Sequence, residues 1–585
     1  MTILQALDRY YDRLDDAVRP GWSREKFGWC LVIDAGGEPV EVLDLNDNTS
    51  KKPRPKLYSV PAGMKRTAGI AANFLWDKSS YVLGRTGGEG KRTEQEHAAF
   101  VALHRERLAG REDKGLVALL RFLDRWTPDR FDAPPFGPEM LDANILFRLE
   151  GDGDYLHNRP AARALVEATV ETVSGDDILC LVTGERGAPA RLHPNFKGVE
   201  GAQSSGASLV SFNLGASESY GQSQGANAPT SEAAAFRYGA ALNRLLTRDG
   251  PNRVRRPIGD ATTVFWADAS DAEAGAAADA WLAAAVSMEV TDEQEAAKLS
   301  DQLEAVARGA PVATIHPGLV PGTRMHVLGL APNAARLSVR YWITDPLEDF
   351  ARRLQRHRED LAIKPTPHGW GAGPSVNLLL ARTTALMGEF KNIPHALAGE
   401  VMRAVLAGTP YPLTLLTAAL IRLRAGGDPG GGWHAAVIRA ALSRHPTCKE
   451  TPPVSLTPDF ADPGYQLGRL FAVYESAQRA ALGFNVNATI RDKYFAAASA
   501  TPAGIFPLLM KNGQNHMAKV RKDKPGLAVV IERELDEIIG RLDPQLPRSL
   551  GLQSQGGFAI GYYHQRQAQY AKPDKRDSEE EQTND

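Results

Sequence analysis

Cysteine is scarce in this chain, and the three that occur, Cys30, Cys180 and Cys448, lie far apart. Two of them fall in apolar runs typical of strands, so we expect buried thiols rather than a disulfide framework or a zinc cluster. The sequence also lacks an uncharged apolar run of eighteen residues, which excludes a membrane-spanning helix. Residues 1–16 lack the apolar centre of a signal peptide, so we expect a cytoplasmic protein with no membrane partner.

Excess charge of one sign is also missing, since the formal net charge is -2, but the charge is unevenly distributed. The segment 50–92 has ten basic residues and two acids. Pro53, Pro55 and Pro61 favour an extended backbone in its first part, so the basic side chains there should project from a loop. Such a display binds phosphate backbones. A solvated lysine-rich loop has the same composition, and charge alone leaves both interpretations open.

The apolar pattern changes along the 585 residues, which are too many for one core. Strand-like runs occur at 27–33, 40–45, 178–183, 208–213, 262–267 and 336–342, and the Gly36-Gly37 turn predicts a hairpin between the first two. Beyond residue 345 the apolar residues recur at helical spacing. We therefore predict an α+β protein in which a mixed α/β N-terminal region is followed by an all-helical region. The predicted parts are a mixed region (1–345), a helical connecting region (346–455), a small helical bundle (456–571) and a disordered tail (572–585).

A Gly/Ser-rich stretch at 198–227 contains five side-chain amides, those of Gln203, Asn213, Gln222, Gln224 and Asn227. Amides both donate and accept hydrogen bonds at base edges, and glycine lets a backbone approach a partner closely. The alternative is that the amides stabilise the turns of the segment itself, which is the more common use of these residue types.

Residues that could carry catalysis are few. Ser204 stands in a small-x-Ser-x-Gly pattern, the form of a nucleophile elbow, but glycine and serine surround it where a strand and a helix are required. Asp260 and Asp268 flank a predicted strand and could share a metal ion, although turn and cap roles explain them equally well. His97 and His104 lie two helical turns apart, which favours surface roles over a metal site. We expect no enzyme activity, metal or cofactor; the alternative is a hydrolase using Ser204 or a carboxylate nuclease using Asp260 and Asp268.

Several motifs resemble those of one known family. They are KKPRP (51–55), NFLWD (73–77), GAQSSGASLVSFN (201–213) and NATIRDKYF (487–495). Together they resemble the large subunit of the type I-C CRISPR Cascade, and the similarity extends over nearly the whole chain.

The resemblance implies a noncatalytic subunit of an RNA-guided antiviral complex. Such a subunit recognises the protospacer-adjacent motif in double-stranded DNA, aids duplex opening and R-loop formation, and supports recruitment of a separate helicase-nuclease. Guide pairing supplies most of the sequence specificity. The implied partners are target DNA, the guide RNA through the complex, the backbone, guide-processing and small subunits of Cascade, and the helicase-nuclease.

Within that resemblance, Asn73 is the first candidate for reading the motif, because it lies between a basic turn and the aromatic anchors Phe74 and Trp76. The other candidates, as wedge residues where the strands part, are Gln203, Gln222 and Gln224. The predicted phosphate-binding residues are Lys51, Lys52, Arg54, Lys56, Lys65 and Arg66. The C-terminal bundle resembles the small subunit, and its predicted nucleic-acid contacts are Lys511, Lys519, Arg521, Lys522 and Lys524. A third interpretation is a scaffold that reads no base.

Overall fold

The structure, a computed structural model, describes residues 1–14, 19–49, 53–64, 66, 69–171, 178–212, 214–269, 271–287, 293–370, 373–483 and 488–570. The predicted tail (572–585) lies outside these residues. The chain divides into two compact units. Unit 1 consists of Met1–Pro194 with Ser211–Ala241, and unit 2 of Asn195–Val210 with Leu242–Asp585. The predicted domain boundaries at residues 345 and 455 stay predictions.

Unit 1 combines small sheets with helices. Its strands are β1 (Trp22–Phe27), β2 (Trp29–Ile33), β3 (Pro39–Asp44), β4 (Lys56–Pro61), β5 (Asp77–Lys78), β6 (Asn144–Leu149), β7 (Ile178–Leu179) and β8 (Arg186–Gly187). The helices are α1 (Ile3–Tyr11), α2 (Ser79–Val82), α3 (Thr93–Leu108), α4 (Lys114–Arg125), α5 (Pro160–Glu171) and α6 (Glu232–Leu245), and the boundary between the units falls inside α6. A four-stranded sheet has the order β3-β2-β6-β5, while β1 pairs with β4 and β7 with β8.

Strand β2 shows why the sheet of unit 1 is buried on both faces. Leu31 and Ile33 point into the main core, which also contains Phe122 of α4. Cys30 points to the opposite face, into a smaller core with Phe27 and Trp76. Because alternate residues of a strand face opposite sides, a continuous apolar run is what a doubly covered strand requires.

The predicted hairpin near the N-terminus is confirmed, since β2 and β3 pair antiparallel. Gly37 has a φ of +86°, and a side chain there would collide with the backbone of Arg121 and Phe122 in α4. The strand prediction at 178–183 holds only for Ile178–Leu179.

Unit 2 begins with a sheet and continues as helices. Its strands are β9 (Asn195–Phe196), β10 (Ala207–Ser208), β11 (Thr262–Asp268), β12 (Arg324–Asn333) and β13 (Arg336–Pro346), in the order β11-β12-β13-β10-β9. Its first helices are α7 (Ala272–Ser287), α8 (Glu293–Ala307) and α9 (Val312–Ile315). Those after the sheet are α10 (Leu347–Leu361), α11 (Val376–Thr383), α12 (His395–Ala407), α13 (Leu413–Arg424), α14 (Trp433–Ser443), α15 (Pro463–Leu482), α16 (Ile490–Ala500), α17 (Pro502–Asp523), α18 (Pro525–Ile539) and α19 (Leu552–Tyr570).

Helices alone follow β13 among the described residues, so the predicted α+β class with a helical C-terminal region is confirmed. Within that region, α15 and α19 cross closely. A side chain at Gly468 would collide with the carbonyl of Phe558, and one at Gly561 with the carbonyl of Tyr465. In the part of the chain that the structure describes, no helix has the length and apolar character needed to cross a membrane.

Candidate nucleic-acid interface

Asn73 lies in a bend of unit 1 just before β5, at residues 71–77, which we call the Asn73 turn. Two hydrogen bonds hold Asn73 in place. Its side-chain Oδ1 accepts a hydrogen bond from the backbone N–H of Met64 at 2.9 Å. Its own N–H donates to Oδ2 of Asp77 at 2.8 Å. Only 4% of the residue is exposed. The predicted rigid placement of this amide therefore has a structural basis, and one of its two polar groups is engaged within the protein.

Asp77 is a fully buried carboxylate at the centre of the turn. Besides the Asn73 N–H, it accepts a hydrogen bond from the Lys78 N–H at 2.8 Å and an ion-paired hydrogen bond from the Arg66 guanidinium. Burial raises the pKa of the Asp77 carboxyl, while the Arg66 ion pair and the two backbone donors oppose that rise. The carboxylate thus depends on three donors, two of which come from the candidate DNA-binding residues Asn73 and Arg66.

Arg66 makes further contacts inside the same turn. Its Nε donates to the carbonyl of Ala71 at 2.6 Å, and its guanidinium carbon lies 3.9 Å from the centre of the Tyr81 ring. The side chain is 24% exposed. Its predicted role in phosphate binding stays a prediction, and the structure shows an internal role beside it.

The aromatic residues next to Asn73 are core anchors, as predicted. Phe74 and Trp76 are 5% and 4% exposed, and the indole of Trp76 donates to the carbonyl of Pro61 at 2.7 Å. The prediction of a surface role for His104 is wrong, because its ring is fully buried and stacks on Phe74 with centroids 5.5 Å apart. His104 Nε2 accepts the N–H of Leu75 at 2.9 Å.

That hydrogen bond supports an unusual backbone, since Leu75 has a φ of +65°. A left-handed conformation is strained for a branched residue and persists where surrounding contacts enforce it. Burial lowers the pKa of His104 to about 4, so the imidazole is neutral at pH 7 and its Nε2 can accept a hydrogen bond. His104 thereby fixes the backbone of the turn at Leu75, and Asp77 fixes it at Asn73.

The basic segment is described in part. Arg54 and Lys56 are exposed, and Arg54 forms a backbone bridge with Asp47 just before β4. The extended conformation predicted here is confirmed for the described residues, although Lys56 begins a strand instead of lying in a loop. Lys51, Lys52 and Lys65 lie outside the described residues.

Acids lie close to these basic side chains. Hydrogen bonds from Asn46 and Asn48 chiefly lower the pKa of Asp44, and hydrogen bonds from Thr49 lower that of Asp47, with Lys56 adding a smaller electrostatic contribution to each. Both aspartates are therefore ionised at neutral pH, and they reduce the local excess of positive charge that composition alone suggests.

Strand β4 connects the basic residues to the Asn73 turn. It begins at Lys56 and ends at Pro61, whose carbonyl accepts the Trp76 indole N–H. Five residue steps in a strand span roughly 17 Å, so Lys56 and the contact with Trp76 lie at opposite ends of one strand. That distance covers several phosphate spacings of a duplex, since phosphates on one strand recur about every 3.4 Å of helix axis.

The Gly/Ser-rich stretch is divided between the two units. Gln203 belongs to unit 2, where its carbonyl accepts the Gly206 N–H in an exposed turn. Gln222 and Gln224 belong to unit 1 and are exposed. The amide of Asn227 donates to the Gln222 carbonyl at 2.8 Å, so at least this amide serves a turn of the segment itself. Asn213 lies outside the described residues.

The basic residues of the C-terminal region lie on or just after α17. Lys511, Lys519 and Lys522 are exposed and share one face of that helix, within about 80° of one another. Arg521 donates to Glu532 at 2.5 Å, and Lys524 donates to the carbonyl of Ala480 at 3.0 Å. Arg521 and Lys524 are thus bonded within the protein, whereas the three lysines present their charges from one surface of α17.

The structure gives no support to the two enzymatic alternatives. Ser204 is followed by strand β10, where a nucleophile elbow requires a helix, and the residues before it form a turn. Asp260 pairs with Arg340 at 2.5 Å, whereas Asp268 lies at the far end of β11. The strand separates the two carboxylates by roughly 20 Å, too far for one metal ion. Among the described residues no cluster of three or more His, Cys, Asp or Glu side chains is arranged to hold a metal.

Sequence comparison identifies the class and then the family. A sequence model for CRISPR-associated proteins matches residues 7–570, nearly the whole chain, so this α+β protein is CRISPR-associated. The chain belongs to the family described as CRISPR-associated protein (Cas_Csd1), the large subunit of the type I-C Cascade, and the resemblance predicted from its motifs is confirmed. No curated protein matches it.

Motif reasoning did not find Asp77, Tyr81 or His104, which build the Asn73 turn. A signal for Asp77 was present, because it is one of only two acids in the segment 50–92 and it directly follows a buried tryptophan. An isolated acid in basic and aromatic surroundings is typical of a buried ion pair. Tyr81 is only four residues beyond Asp77 and carries no sequence signal of its contact with Arg66, whereas His104 is distant in sequence and only the fold brings it to the turn.

Proposed function

We propose that this Cascade subunit is noncatalytic and reads the protospacer-adjacent motif, with Asn73 as the motif-reading residue. The observation that carries the proposal is the Asn73 turn, in which hydrogen bonds from Met64 and to Asp77 preset the position of the amide. A preset donor loses little conformational entropy on binding, and an amide discriminates between base edges. The burial of Asn73 means that a base edge must enter the turn or that the turn opens when DNA binds.

The exposed cations supply the sequence-independent part of the binding. Lys56 begins β4 and Arg54 lies just before it, and we assign both to phosphates together with Lys51, Lys52 and Lys65. Arg66 is also predicted to bind phosphate, but its guanidinium is already paired with Asp77 inside the protein. On α17, Lys511, Lys519 and Lys522 form a surface suited to a nucleic-acid strand.

Duplex opening and helicase-nuclease recruitment follow from motif binding in this proposal. Exposed Gln222 and Gln224 in unit 1 and Gln203 in unit 2 are the candidates for contacts where the strands separate. The partners are target DNA, the guide RNA through the complex, the other Cascade subunits and the helicase-nuclease, and we place the complex in the cytoplasm.

The experiment compares Cascade assembled with and without this subunit. Each complex is offered a closed duplex with a matched target and the same duplex with a pre-opened target bubble. The proposal predicts that omission of the subunit abolishes R-loop formation on the closed duplex and impairs it much less on the bubble. Equal loss on both substrates would assign the subunit to scaffolding, and equal R-loop formation with and without it would contradict the proposal.

A further inference from the structure

Three donors converge on Asp77, and they connect the Asn73 turn to Arg66. The buried carboxylate receives the Asn73 N–H, the Lys78 N–H and the Arg66 guanidinium. The side chain of Arg66 also reaches back to the Ala71 carbonyl, two residues before Asn73. The backbone on the N-terminal side of Asn73 and the backbone at Asn73 itself are thus held by one ion pair.

The turn is not supported by packing on every side. A cavity of about 1890 Å³ within unit 1 is lined by Met64, Ala71, Ala72 and Phe74, together with residues of α1, α3 and α6. A segment that borders open space has fewer contacts to resist displacement, so its hydrogen bonds carry more of the restraint. Around Asn73 these are the bonds to Met64 and Asp77.

The geometry of Arg66 is that of a residue fixed by the protein. Its guanidinium bonds to Asp77, its Nε bonds to Ala71, and its plane lies over the Tyr81 ring. A planar fork that satisfies two acceptors while it stacks on an aromatic ring cannot be replaced by lysine, which is a point charge on a flexible stem. A phosphate contact, in contrast, tolerates lysine well.

We infer that Asp77 and Arg66 are positioning residues for motif recognition: Asp77 fixes the backbone of Asn73, and Arg66 acts through Asp77 instead of through a DNA phosphate. This inference rests on the proposed function, because it assigns the residues that set the geometry of the motif-reading amide. It separates Arg66 from Arg54 and Lys56, which the proposal leaves as phosphate ligands.

The test uses assembled Cascade and duplexes with a matched target and either a favoured or a disfavoured flank. Two quantities are measured for each variant. The first is the flank ratio, the Kd for the disfavoured flank divided by the Kd for the favoured flank. The second is the negative slope of log K against log salt concentration. Arg66→Lys should lower the flank ratio about tenfold, the discrimination expected from one well-placed base contact, with no change in the salt slope. Arg130→Lys is the matched control, because Arg130 also pairs with a carboxylate, that of Glu38, and lies over an aromatic ring, that of Trp126; this variant should change neither quantity.

Asp77→Asn extends the test to the buried partner. It should lower the flank ratio as Arg66→Lys does, and the double variant should lose no more than the stronger single variant, since the two residues act as one unit. If Asp77→Asn fails to assemble, Arg66→Lys and Arg66→Ala still decide the matter.

A retained flank ratio in Arg66→Lys would overturn the inference. So would an Arg66→Ala variant whose negative salt slope loses about 0.9 in magnitude at an unchanged flank ratio, because that result is the signature of one lost phosphate contact. Asn73→Ala is measured beside them. If Asn73→Ala leaves the flank ratio unchanged, the proposed function fails; if Asn73→Ala lowers the ratio and the Arg66 and Asp77 variants do not, only this inference fails.

Discussion

The side-chain oxygen of Asn73 accepts the backbone N–H of Met64, nine positions earlier in the chain, at 2.9 Å. This contact fixes which end of the amide faces the protein. The oxygen is engaged, so the NH₂ group is the part of the side chain that remains as a donor to a base. A motif read by Asn73 should therefore present a hydrogen-bond acceptor at the recognised edge.

The Asn73–Met64 contact predicts a local effect on stability. Asn73→Ala should leave the Met64 N–H without its protein acceptor, and because Met64 is 60% exposed the cost should be about 0.5–1.5 kcal/mol, the net contribution of one hydrogen bond. Hydrogen exchange at Met64 should accelerate accordingly. Asn227→Ala, which removes an amide from an exposed turn, is the control and should leave exchange at Met64 unchanged. Unaltered exchange at Met64 in Asn73→Ala would show that the contact does not hold the turn.

The exposed cations predict a salt effect without a sequence effect. Arg54→Ala and Lys56→Ala should each reduce the magnitude of the negative slope of log K against log salt by about 0.9 and leave the flank ratio intact. Lys114→Ala, an exposed lysine on α4 outside the basic segment, is the matched control. Binding isotherms of the assembled complex over a salt series give both values. A changed flank ratio in either variant would assign that residue to base readout.

Buried His104 predicts a pH dependence. Its folded-state pKa is lowered to about 4, so below pH 6.5 the unfolded chain binds a proton that the folded chain resists. The contribution of His104 to the free energy of unfolding is therefore fully present above pH 6.5. It declines as the pH falls towards 4, by roughly 1.4 kcal/mol per pH unit. His104→Gln, which retains an acceptor for the Leu75 N–H, should reduce the difference between urea midpoints at pH 7 and pH 5. An unchanged difference would mean that His104 is protonated in the folded protein.

The close crossing of α15 and α19 predicts contrasting effects of two glycine substitutions. Gly468→Ala should destabilise unit 2 by about 1–3 kcal/mol, because the added methyl group meets the backbone of Phe558. Gly504→Ala in α17 has open space around its new methyl group and should be neutral or stabilising by about 0.5–1 kcal/mol. Thermal denaturation of both variants separates the outcomes, and a neutral Gly468→Ala would show that the two helices can move apart without cost.

Part of this fold followed from sequence pattern because the pattern is local. The Gly36-Gly37 hairpin and the long strands β11 and β13 have strict signals, a glycine turn between apolar runs or a run of apolar residues. In contrast, β12 was not predicted, although it is the central partner of β11 and β13. Its buried residues include Gly329 and Ala331, which have low strand propensity, and its place between two neighbours decides its structure.

The candidate site was only partly visible in the sequence for a related reason. Asn73 and the basic segment are contiguous, so motif reasoning reached them. Their supports are less visible: His104 reaches the turn from α3, and Tyr81, although close in sequence, shows its contact with Arg66 only in the fold. The Gly/Ser-rich stretch looked like one unit by composition, whereas the structure assigns Gln203 and Gln222 to different units. Composition reports exposure and flexibility, but contacts between distant segments depend on packing.

The most direct test of the account is the flank preference of assembled Cascade carrying Asn73→Ala. Duplexes with a matched target and randomised flanking bases are bound over a salt series, and the bound fraction is sequenced. The account predicts that the flank preference is lost while the salt slope is retained, because base readout resides at Asn73 and the phosphate contacts lie elsewhere. An unchanged flank preference would contradict the account and direct the search for the motif-reading residue to Gln203, Gln222 and Gln224.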